Sequence, residues 1–439
     1  MSRTIVLPLA LALAACGGSR DAAQEFAVRD SAGVQLVHNG AAGVLPQAAL
    51  DSPRLTMRIG EVDGAPEYQH FRLRDMAVGP SGEIYAVDAG HAEVRVFDAE
   101  GRYVRAYGRK GEGPGEFEFP SGLWLLGDTI AVYDVELSRM TLFDIDGRLL
   151  DTWRDGGSRS GHVAPLGTAL DGWIVAPSRY TGWPYQPGVV RRDTTTIAFV
   201  SAFEPAVHAY ETASGGDRLE SDTTVIRTII AYPRGRMMGV NTPRAMIATD
   251  PLFEPRPQFA IDGRGLVHFS PANAYVIETR DAKGRLVRRL TRDYEPVPVS
   301  ADLVDRFRER VRAHWDTASM TGEAAMGKVG DEARAADLDH VENLPPIGRM
   351  FASSEGALWV ERIDLVPDPL ELEWQRPPPP ARETKWDIFD PDGRFLGTAT
   401  LPPKFSPRLV GERWVLGVLR DELDVQYVAR YEIGDGQPR

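Results

Sequence analysis

Short runs of alternating hydrophobic and polar residues follow one another along most of the chain. Four such runs lie near 73–78, 83–88, 92–98 and 102–107. Alternation with a period of two is typical of half-buried β-strands. Ser81-Gly82 and Ala89-Gly90-His91 place turn-forming residues between the runs. The pattern therefore predicts four consecutive antiparallel strands joined by tight turns.

The same strand–turn–strand pattern recurs at four places in the sequence. Each copy has a glycine in its turn, namely Gly101, Gly147, Gly284 and Gly393. Glycine readily adopts the positive φ that such hairpin turns require. A longer repeat sets the period, because Gly60, Pro66 and Phe71 recur 48 residues later as Gly108, Pro114 and Phe119.

A unit of about 40–50 residues with four short strands is typical of a propeller blade. The sequence therefore predicts an all-β fold, a six-bladed β-propeller with four-stranded antiparallel blades. We expect the blades near 71–107, 118–154, 163–212, 257–292, 346–400 and 407–433. The last has room for about three strands, so the N-terminal strand at 55–59 is expected to close it and remove the exposed edges. Seven blades stay possible, because 212–256 is hard to assign.

Two insertions interrupt the predicted propeller domain, which spans residues 54–435. Between blades four and five, about 300–340, Ser300 is a suitable N-cap for a helix to about Asp316, and a weaker helix is predicted over 323–338. The apolar stripe of the first helix contains Leu303, Phe307, Val311 and Trp315. This helical insertion is either a lid or partner-binding arm, or a flap that packs on blade edges. A proline-rich hairpin at about 366–383 either docks a partner's aromatic groove or forms a rigid tip.

The first fifteen residues have the layout of a secretory signal. Arg3 gives a positive start, the apolar run from Thr4 to Leu13 is too short to cross a bilayer, and small residues precede Cys16. This arrangement resembles the lipobox of bacterial lipoproteins. The resemblance implies cleavage before Cys16 and lipidation of its thiol, with 16–53 as lipidated cysteine, tether and N-terminal hairpin. Several acyl chains hold a protein stably at a membrane, and Gly17 slightly favours the outer over the inner membrane.

The propeller repeats also resemble known proteins. Tyr107-Gly-Arg-Lys-Gly-Glu-Gly-Pro-Gly-Glu-Phe117, set between paired strands, looks like the NHL-repeat propellers. Over about residues 25–435 the chain is similar to bacterial six-bladed β-propeller lipoproteins of the NHL-repeat and TolB-like kind. The segment Arg29-Asp-Ser-Ala-Gly-Val-Gln-Leu-Val37 looks like their N-terminal hairpin. The resemblance implies a fold but no particular activity.

Charge and cysteine content narrow the possible partners. The net charge is −13, and loss of residues 1–15 removes only Arg3, which makes it −14. Such a charge is unfavourable for nucleic acid, whose binding depends on neutralising phosphates. It also argues against a polybasic membrane contact, so the lipid is the expected link to the membrane. Cys16 is the only cysteine, and no disulfide can form within the chain.

The innermost strand of each blade lines a propeller's central channel, where ligands usually bind. We expect these strands to contribute Arg74, Asp75, Ser121, His162, Gln258, Arg349 and Arg408. The candidate ligand-binding residues are Arg74, Asp75, His162, Arg349 and Arg408. Three arginines facing one axis can bind an anion bidentately. Alternatively, each arginine pairs with a carboxylate such as Asp75, and the pairs close the channel.

The sequence has no catalytic motif. No nucleophile elbow or phosphate-binding loop is present, and Gly108–Gly115 is better interpreted as a linker between blades. None of the eight histidines has the spacing of a metal ligand pair, although His91 and His162 could meet at the channel and hold a divalent metal. Asp88, Asp98, Asp134 and Asp144 end strands and are expected to cap the following turns.

We therefore expect an exported, lipid-anchored protein of the cell envelope, at the outer membrane facing the periplasm or the cell surface. Its propeller is expected to bind or scaffold a protein, peptide or glycan without a cofactor. The alternative is a metal-dependent hydrolase or lyase of the propeller lactonase type, acting at the central channel.

Overall fold

The computed structural model describes residues 26–154, 252–317, 340–364 and 380–434, apart from positions 138, 256–257, 282–283 and 381. It also describes the backbone of short strands between residues 175 and 249. Among the described residues, no helix is long and apolar enough to span a membrane. The predicted signal peptide, Cys16, His162, the helix at 323–338 and most of the proline-rich hairpin lie outside the described residues.

Two four-stranded antiparallel sheets correspond to the predicted first and second blades. Blade one contains β4 (Leu73–Val78), β5 (Ile84–Asp88), β6 (Glu93–Phe97) and β7 (Tyr103–Tyr107). Blade two contains β8 (Pro120–Leu126), β9 (Thr129–Asp134), β10 (Arg139–Asp144) and β11 (Leu149–Arg154). The strand bounds predicted for blade one are therefore confirmed to within one residue. A short 3₁₀ turn (Pro66–Tyr68) lies in the linker that precedes β4.

The third sheet departs from the prediction. It contains β12 (Val175–Pro177), β13 (Ala198–Ser201), β14 (Ala206–Thr212) and β15 (Thr223–Ala231), and β12 pairs with β13 in parallel. The predicted end of this blade at residue 212 was wrong, because β15 extends the sheet to Ala231. Strand β14 pairs with β15 through two register shifts. Such irregular pairing breaks the alternation by which strands are recognised. A separate hairpin of β16 (Met238–Asn241) and β17 (Met246–Thr249) follows.

Three further sheets occupy the C-terminal part of the chain. The fourth sheet, blade four, contains β18 (Gln258–Ile261), β19 (Val267–Ser270), β20 (Val276–Arg280) and β21 (Leu286–Arg292). The fifth sheet, blade five, contains β22 (Ile347–Ala352), β23 (Leu358–Arg362), β24 (Thr384–Phe389) and β25 (Phe395–Leu401). The sixth sheet, blade six, contains β26 (Phe405–Val410), β27 (Trp414–Arg420), β28 (Gln426–Glu432) and the N-terminal strand β3 (Arg54–Ile59). Strand β3 pairs antiparallel with β28, so both ends of the chain contribute to one sheet.

The chain before β3 runs along the outer edges of two blades. Strands β1 (Phe26–Ser31) and β2 (Val34–Asn39) form the predicted N-terminal hairpin, and β2 pairs in parallel with β21, so the fourth sheet has six strands rather than four. Residues 40–53, here called the strap, then cross blade five and include the short helix α1 (Gln47–Leu50). The amides of Val44 and Leu45 donate to the carbonyls of Phe395 and Leu396, and Leu50 is fully buried.

The hydrophobic core lies between neighbouring sheets. One cluster joins blade six to blade one, and a second joins blade one to blade two. Two more clusters join blade four to blade five and blade five to blade six. The inner strands are also in contact in the order β18, β22, β26, β4 and β8. These contacts place the five strands side by side, as inner strands around a common axis are.

Helix α2 (Ala301–Thr317) lies between blades four and five, where a helical insertion was predicted. The Ser300 hydroxyl accepts a hydrogen bond from the Leu303 amide at 3.3 Å, as expected of an N-cap. Val304 and Phe307 are buried in a cluster with Leu252, Val299 and Leu344. These partners belong to connecting segments rather than to blade strands, so α2 packs on a small core of its own.

Candidate functional site

The inner strands share an irregularity at the positions predicted to line the channel. In β4, the register with β5 shifts between Leu73 and Met76, and this shift encloses Arg74 and Asp75. Equivalent shifts enclose Ser121 in β8, Arg349 in β22 and Arg408 in β26. A bulge bends the strand and redirects the side chains at that point. The predicted residues of four inner strands therefore all lie at bulges.

Arg408 and Asp75 connect the inner strands of three blades. The Arg408 Nε donates to the carbonyl oxygen of Arg74 at 3.0 Å, from blade six to blade one. Asp75 Oδ2 accepts the amide of Leu123 on β8 at 2.9 Å, and Oδ1 accepts the Met76 amide at 2.9 Å. The guanidinium of Arg74 lies 5.4 Å from the centre of the Phe119 ring. Each of these groups is thus held in place by a neighbouring blade.

Arg349 has a carboxylate partner within its own blade. Its Nε and Nη2 donate to the two oxygens of Glu361 at 2.8 and 3.0 Å, in a bidentate pair. Burial alone would raise the pKa of Glu361. The charge and hydrogen bonds of Arg349 together outweigh burial, so the pKa is lowered. The expected alternative, in which arginines pair with carboxylates, therefore describes Arg349. Sequence reasoning missed Glu361, because only the cross-strand pairing of β22 with β23 brings the two side chains together.

For Asp75 and Arg408, burial has a larger effect on the pKa than the nearby opposite charge. It raises the pKa of Asp75 to about 6, although two backbone amides and the charges of Arg408 and Arg74 oppose the rise. Burial likewise lowers the pKa of Arg408 to about 10; Asp75 opposes this change, and repulsion from Arg349 and Arg74 adds to it. The charges of Arg349 and Arg74 thus act on Arg408, and Asp75 and Glu361 each interact with at least one of these arginines.

The other predicted channel residues have different surroundings. Ser121 is half-buried, and its hydroxyl donates to the Tyr133 carbonyl at 3.4 Å. Gln258 begins β18 and is half-buried. His91 lies on the connection between β5 and β6, with its Nδ1 3.0 Å from Asp88 Oδ2, so it does not lie on an inner strand. The hypothesis that His91 and His162 meet in the channel has no support from the position of His91, and His162 lies outside the described residues.

The strand-ending aspartates cap turns as predicted. Asp98 Oδ1 accepts the amides of Glu100 and Arg102, and Asp144 Oδ1 accepts those of Asp146 and Arg148. Asp88 and Asp134 likewise accept several backbone amides beside their strands. In the part of the chain that the structure describes, no group of three or more His, Cys, Asp or Glu is arranged to hold a metal ion.

Sequence reasoning missed a buried polar network between blades four and five. Asp387 is fully buried and accepts hydrogen bonds from the Tyr275 hydroxyl at 2.5 Å, Arg292 Nη1 at 2.8 Å and the Thr398 hydroxyl at 2.6 Å. Burial raises the pKa of Asp387, against the opposing charge of Arg292. The signal was an acidic residue inside the otherwise apolar run Trp386-Asp-Ile-Phe389.

Comparison with known proteins supports the fold. A family model described as a 6-bladed beta-propeller (DUF5128) matches residues 79–154, which cover most of blade one and all of blade two. The predicted resemblance to six-bladed propeller proteins is thereby confirmed. A search of curated proteins found no match.

Several solved structures are similar over most of the chain. A protein from Bacteroides fragilis, described as exported, is 10% identical and covers 91% of this chain and 100% of its own, with a TM-score of 0.46. A member of the duf4221 family from Bacteroides vulgatus is 9% identical, covering 87% and 97%, with a TM-score of 0.45. Virginiamycin B lyase from Staphylococcus aureus is 8% identical, covering 87% and 100%, with a TM-score of 0.38.

Proposed function

We propose that the chain is an exported lipoprotein whose β-propeller binds a ligand with carboxylate groups at the mouth of its channel. In this proposal six blades form one ring, which β3 closes, and the ligand is an acidic segment of a protein or peptide, or an acidic glycan. The observation that carries it is the cluster of Arg74, Arg349 and Arg408 at bulges of three successive inner strands.

The surroundings of Arg408 favour an anion. Arg349 is paired with Glu361, whereas Arg408 donates to two backbone carbonyls, those of Arg74 and Pro407. The Asp75 carboxylate receives backbone amides, so its charge is shared between these dipoles and the arginines. Guanidinium groups that are held by a rigid scaffold bind carboxylates with little loss of side-chain entropy. A carboxylate between them would relieve the mutual repulsion of the three arginines.

The binding is tested with two labelled probes, a peptide of consecutive glutamates and an oligomer of galacturonic acid, by fluorescence anisotropy. We expect one of the probes to bind saturably. The variants Arg408→Gln and Arg74→Gln are expected to weaken that binding about tenfold or more, the usual effect of losing a charge-assisted hydrogen bond. Which of the probes binds decides between peptide and glycan.

Arg148→Gln is the matched control, because Arg148 lies on an outer turn of blade two with 78% of its side chain exposed. It is expected to leave binding unchanged. The proposal is overturned if neither probe binds, or if all three variants weaken binding equally. Stoichiometric metal in the purified protein, with hydrolysis or elimination of a bound probe, would instead favour the metal-dependent enzyme.

The anchor rests on the sequence around Cys16, where small residues follow a short apolar run. We propose attachment to the outer membrane on its periplasmic or outer side, because Gly17 follows the cysteine. The variant Cys16→Ser is expected to lose incorporation of labelled palmitate and to leave the membrane fraction. A wild-type chain that takes up no lipid, or a serine variant that stays membrane-bound, would contradict the anchor.

A further inference from the structure

A pocket lies outside the channel, between the strap and blade five. Its volume is about 520 Å³, within the range of roughly 300–1,000 Å³ that is usual for small-molecule sites. The strap forms one wall, and strands β23, β24 and β25, with the end of β21, form the other. Gly43 allows the close approach of the two walls, because a Cβ there would lie 2.4 Å from the Cα of Gly397.

Three cationic side chains line this pocket, and two of them are neutralised. Arg292 pairs with the buried Asp387 through Nη1 at 2.8 Å. Lys385 pairs with Asp364 at 2.7 Å between Nζ and Oδ2. Arg362 differs, because its guanidinium forms no ion pair with a carboxylate among the described residues. Its hydrogen bond to the hydroxyl of Thr398 is a long one, 3.4 Å from Nη1 to the oxygen.

The buried network explains why Arg362 pairs with no carboxylate in the part of the chain that the structure describes. The charge of Arg362 acts on the buried Asp387, but Tyr275, Arg292 and Thr398 already donate to the Asp387 oxygens. Arg362 reaches Asp387 through the Thr398 hydroxyl and is not in direct contact with it. The guanidinium thus retains donors on the side that lines the pocket. A half-buried cation of this kind gains most from a planar oxyanion that accepts two parallel hydrogen bonds.

The remaining polar groups select among oxyanions. Asp51 lines the pocket opposite the cations, and Gln47 Nε2 holds it at 2.7 Å. The Thr400 hydroxyl lies 3.5 Å from Asp51 Oδ1. A carboxylate at this position accepts hydrogen bonds from ligand hydroxyls and repels a second negative charge. From this arrangement we propose that the pocket binds a small hydroxylated monocarboxylate, such as a sugar acid, with its carboxylate on Arg362 and its hydroxyls on Asp51 and Thr400.

The test is isothermal titration of the full-length chain in detergent with glucuronate, with glucose and inorganic phosphate as comparison probes. Glucuronate is expected to bind with a stoichiometry of one. Arg362→Gln is expected to weaken that binding about tenfold or more, and Thr400→Val more modestly. Glucose should bind far more weakly, because it lacks the carboxylate, and phosphate should bind far more weakly because Asp51 repels its second charge.

Arg148→Gln, on the exposed turn of blade two, serves as the matched control and should leave glucuronate affinity unchanged. Thermal unfolding shows whether Arg362→Gln is folded; if it is not, Arg362→Lys takes its place, because lysine keeps the charge but cannot donate two parallel hydrogen bonds, and it should also weaken binding. Three results overturn the proposal: no binding of glucuronate, equal binding by the folded pocket variants, or phosphate that binds as tightly as glucuronate. Since the channel arginines lie elsewhere, Arg408→Gln should not change glucuronate affinity, which separates this site from the channel.

Discussion

At the scale of single residues, opposing influences set the protonation of Asp75. Burial disfavours the charged carboxylate, whereas two amides and two arginines favour it, and burial prevails. The folded chain therefore holds the proton of Asp75 up to about pH 6, above the ordinary value of 3.8. Because the folded state binds more protons than the unfolded state in this window, stability contributed by Asp75 falls as pH rises through it.

We expect Asp75→Asn to remove this part of the pH dependence. Between pH 4.5 and 7.5, the free energy of unfolding of the wild type should fall by roughly 1–3 kcal/mol relative to the variant, since a pKa that differs by one between the folded and unfolded states corresponds to about 1.4 kcal/mol. Urea titrations at several pH values measure the difference. Asp98→Asn is the control, because Asp98 also caps backbone amides but its pKa is lowered, so that its response lies below this window. A pH-independent difference for Asp75→Asn would contradict the assignment.

The channel shows what a sequence can and cannot specify at this scale. Arg74, Asp75, Arg349 and Arg408 were predicted on inner strands, because the period of the repeat fixes which strand of each blade comes first. Their bulges were not predictable, because a bulge depends on the register with the partner strand, which the sequence of one strand does not show. Glu361, Arg362 and Asp387 were missed for another reason. Their importance depends on partners far away in the sequence, such as Tyr275 for Asp387.

At the scale of elements, α2 is separate from the blades in its packing. Phe307 is 1% exposed and lies 5.1 Å from Phe253 between ring centres. Its cluster shares no residue with the clusters that join the blades. Segments with small, independent cores can unfold locally without global unfolding. The sequence predicted the helix from its cap and apolar stripe, but it did not identify the connecting segments that cover it.

Phe307→Ala should therefore loosen α2 and leave the blades intact. The cavity is expected to cost about 3–5 kcal/mol within this cluster. Hydrogen exchange followed by mass spectrometry should show faster exchange over residues 301–317 and unchanged exchange in β5 and β9. Phe117→Ala is the comparison, because Phe117 is fully buried between blades one and two and its loss should accelerate exchange there. Faster exchange in every blade of the Phe307 variant would show that α2 is part of the common core.

At the scale of the whole molecule, the N-terminal segment crosses three consecutive blades. Strand β2 extends blade four, the strap lies on blade five and β3 completes blade six. Asn39, at the end of β2, links blades four and five. Its buried side chain donates from Nδ2 to the Gly393 carbonyl and accepts the Phe395 amide at Oδ1. The sequence predicted β3 from the missing strand of the last blade. It did not predict the parallel pairing of β2, since no local pattern distinguishes a strand that joins a distant edge.

The place where the two ends of the chain meet should therefore control global stability. Ile59 is 3% exposed, and it packs between blades six and one in the cluster that contains Phe97 and Val428. Ile59→Ala is expected to lower the free energy of unfolding by about 2–4 kcal/mol through the cavity it creates. Tryptophan fluorescence and far-ultraviolet circular dichroism should shift together in urea, because separation of this sheet exposes blade cores on both sides.

Val104→Ala is the matched control for this prediction, since Val104 is 48% exposed on β7 and its truncation should change stability by less than about 0.5 kcal/mol. If the two spectroscopic transitions separate in the Ile59 variant, blade six unfolds before the rest and the end-to-end sheet is a local element. A coincident shift that clearly exceeds that of Val104→Ala means that the N-terminal strand stabilises the whole propeller. The proposed lipid on Cys16 would then be linked through the tether to a segment on which the entire fold depends.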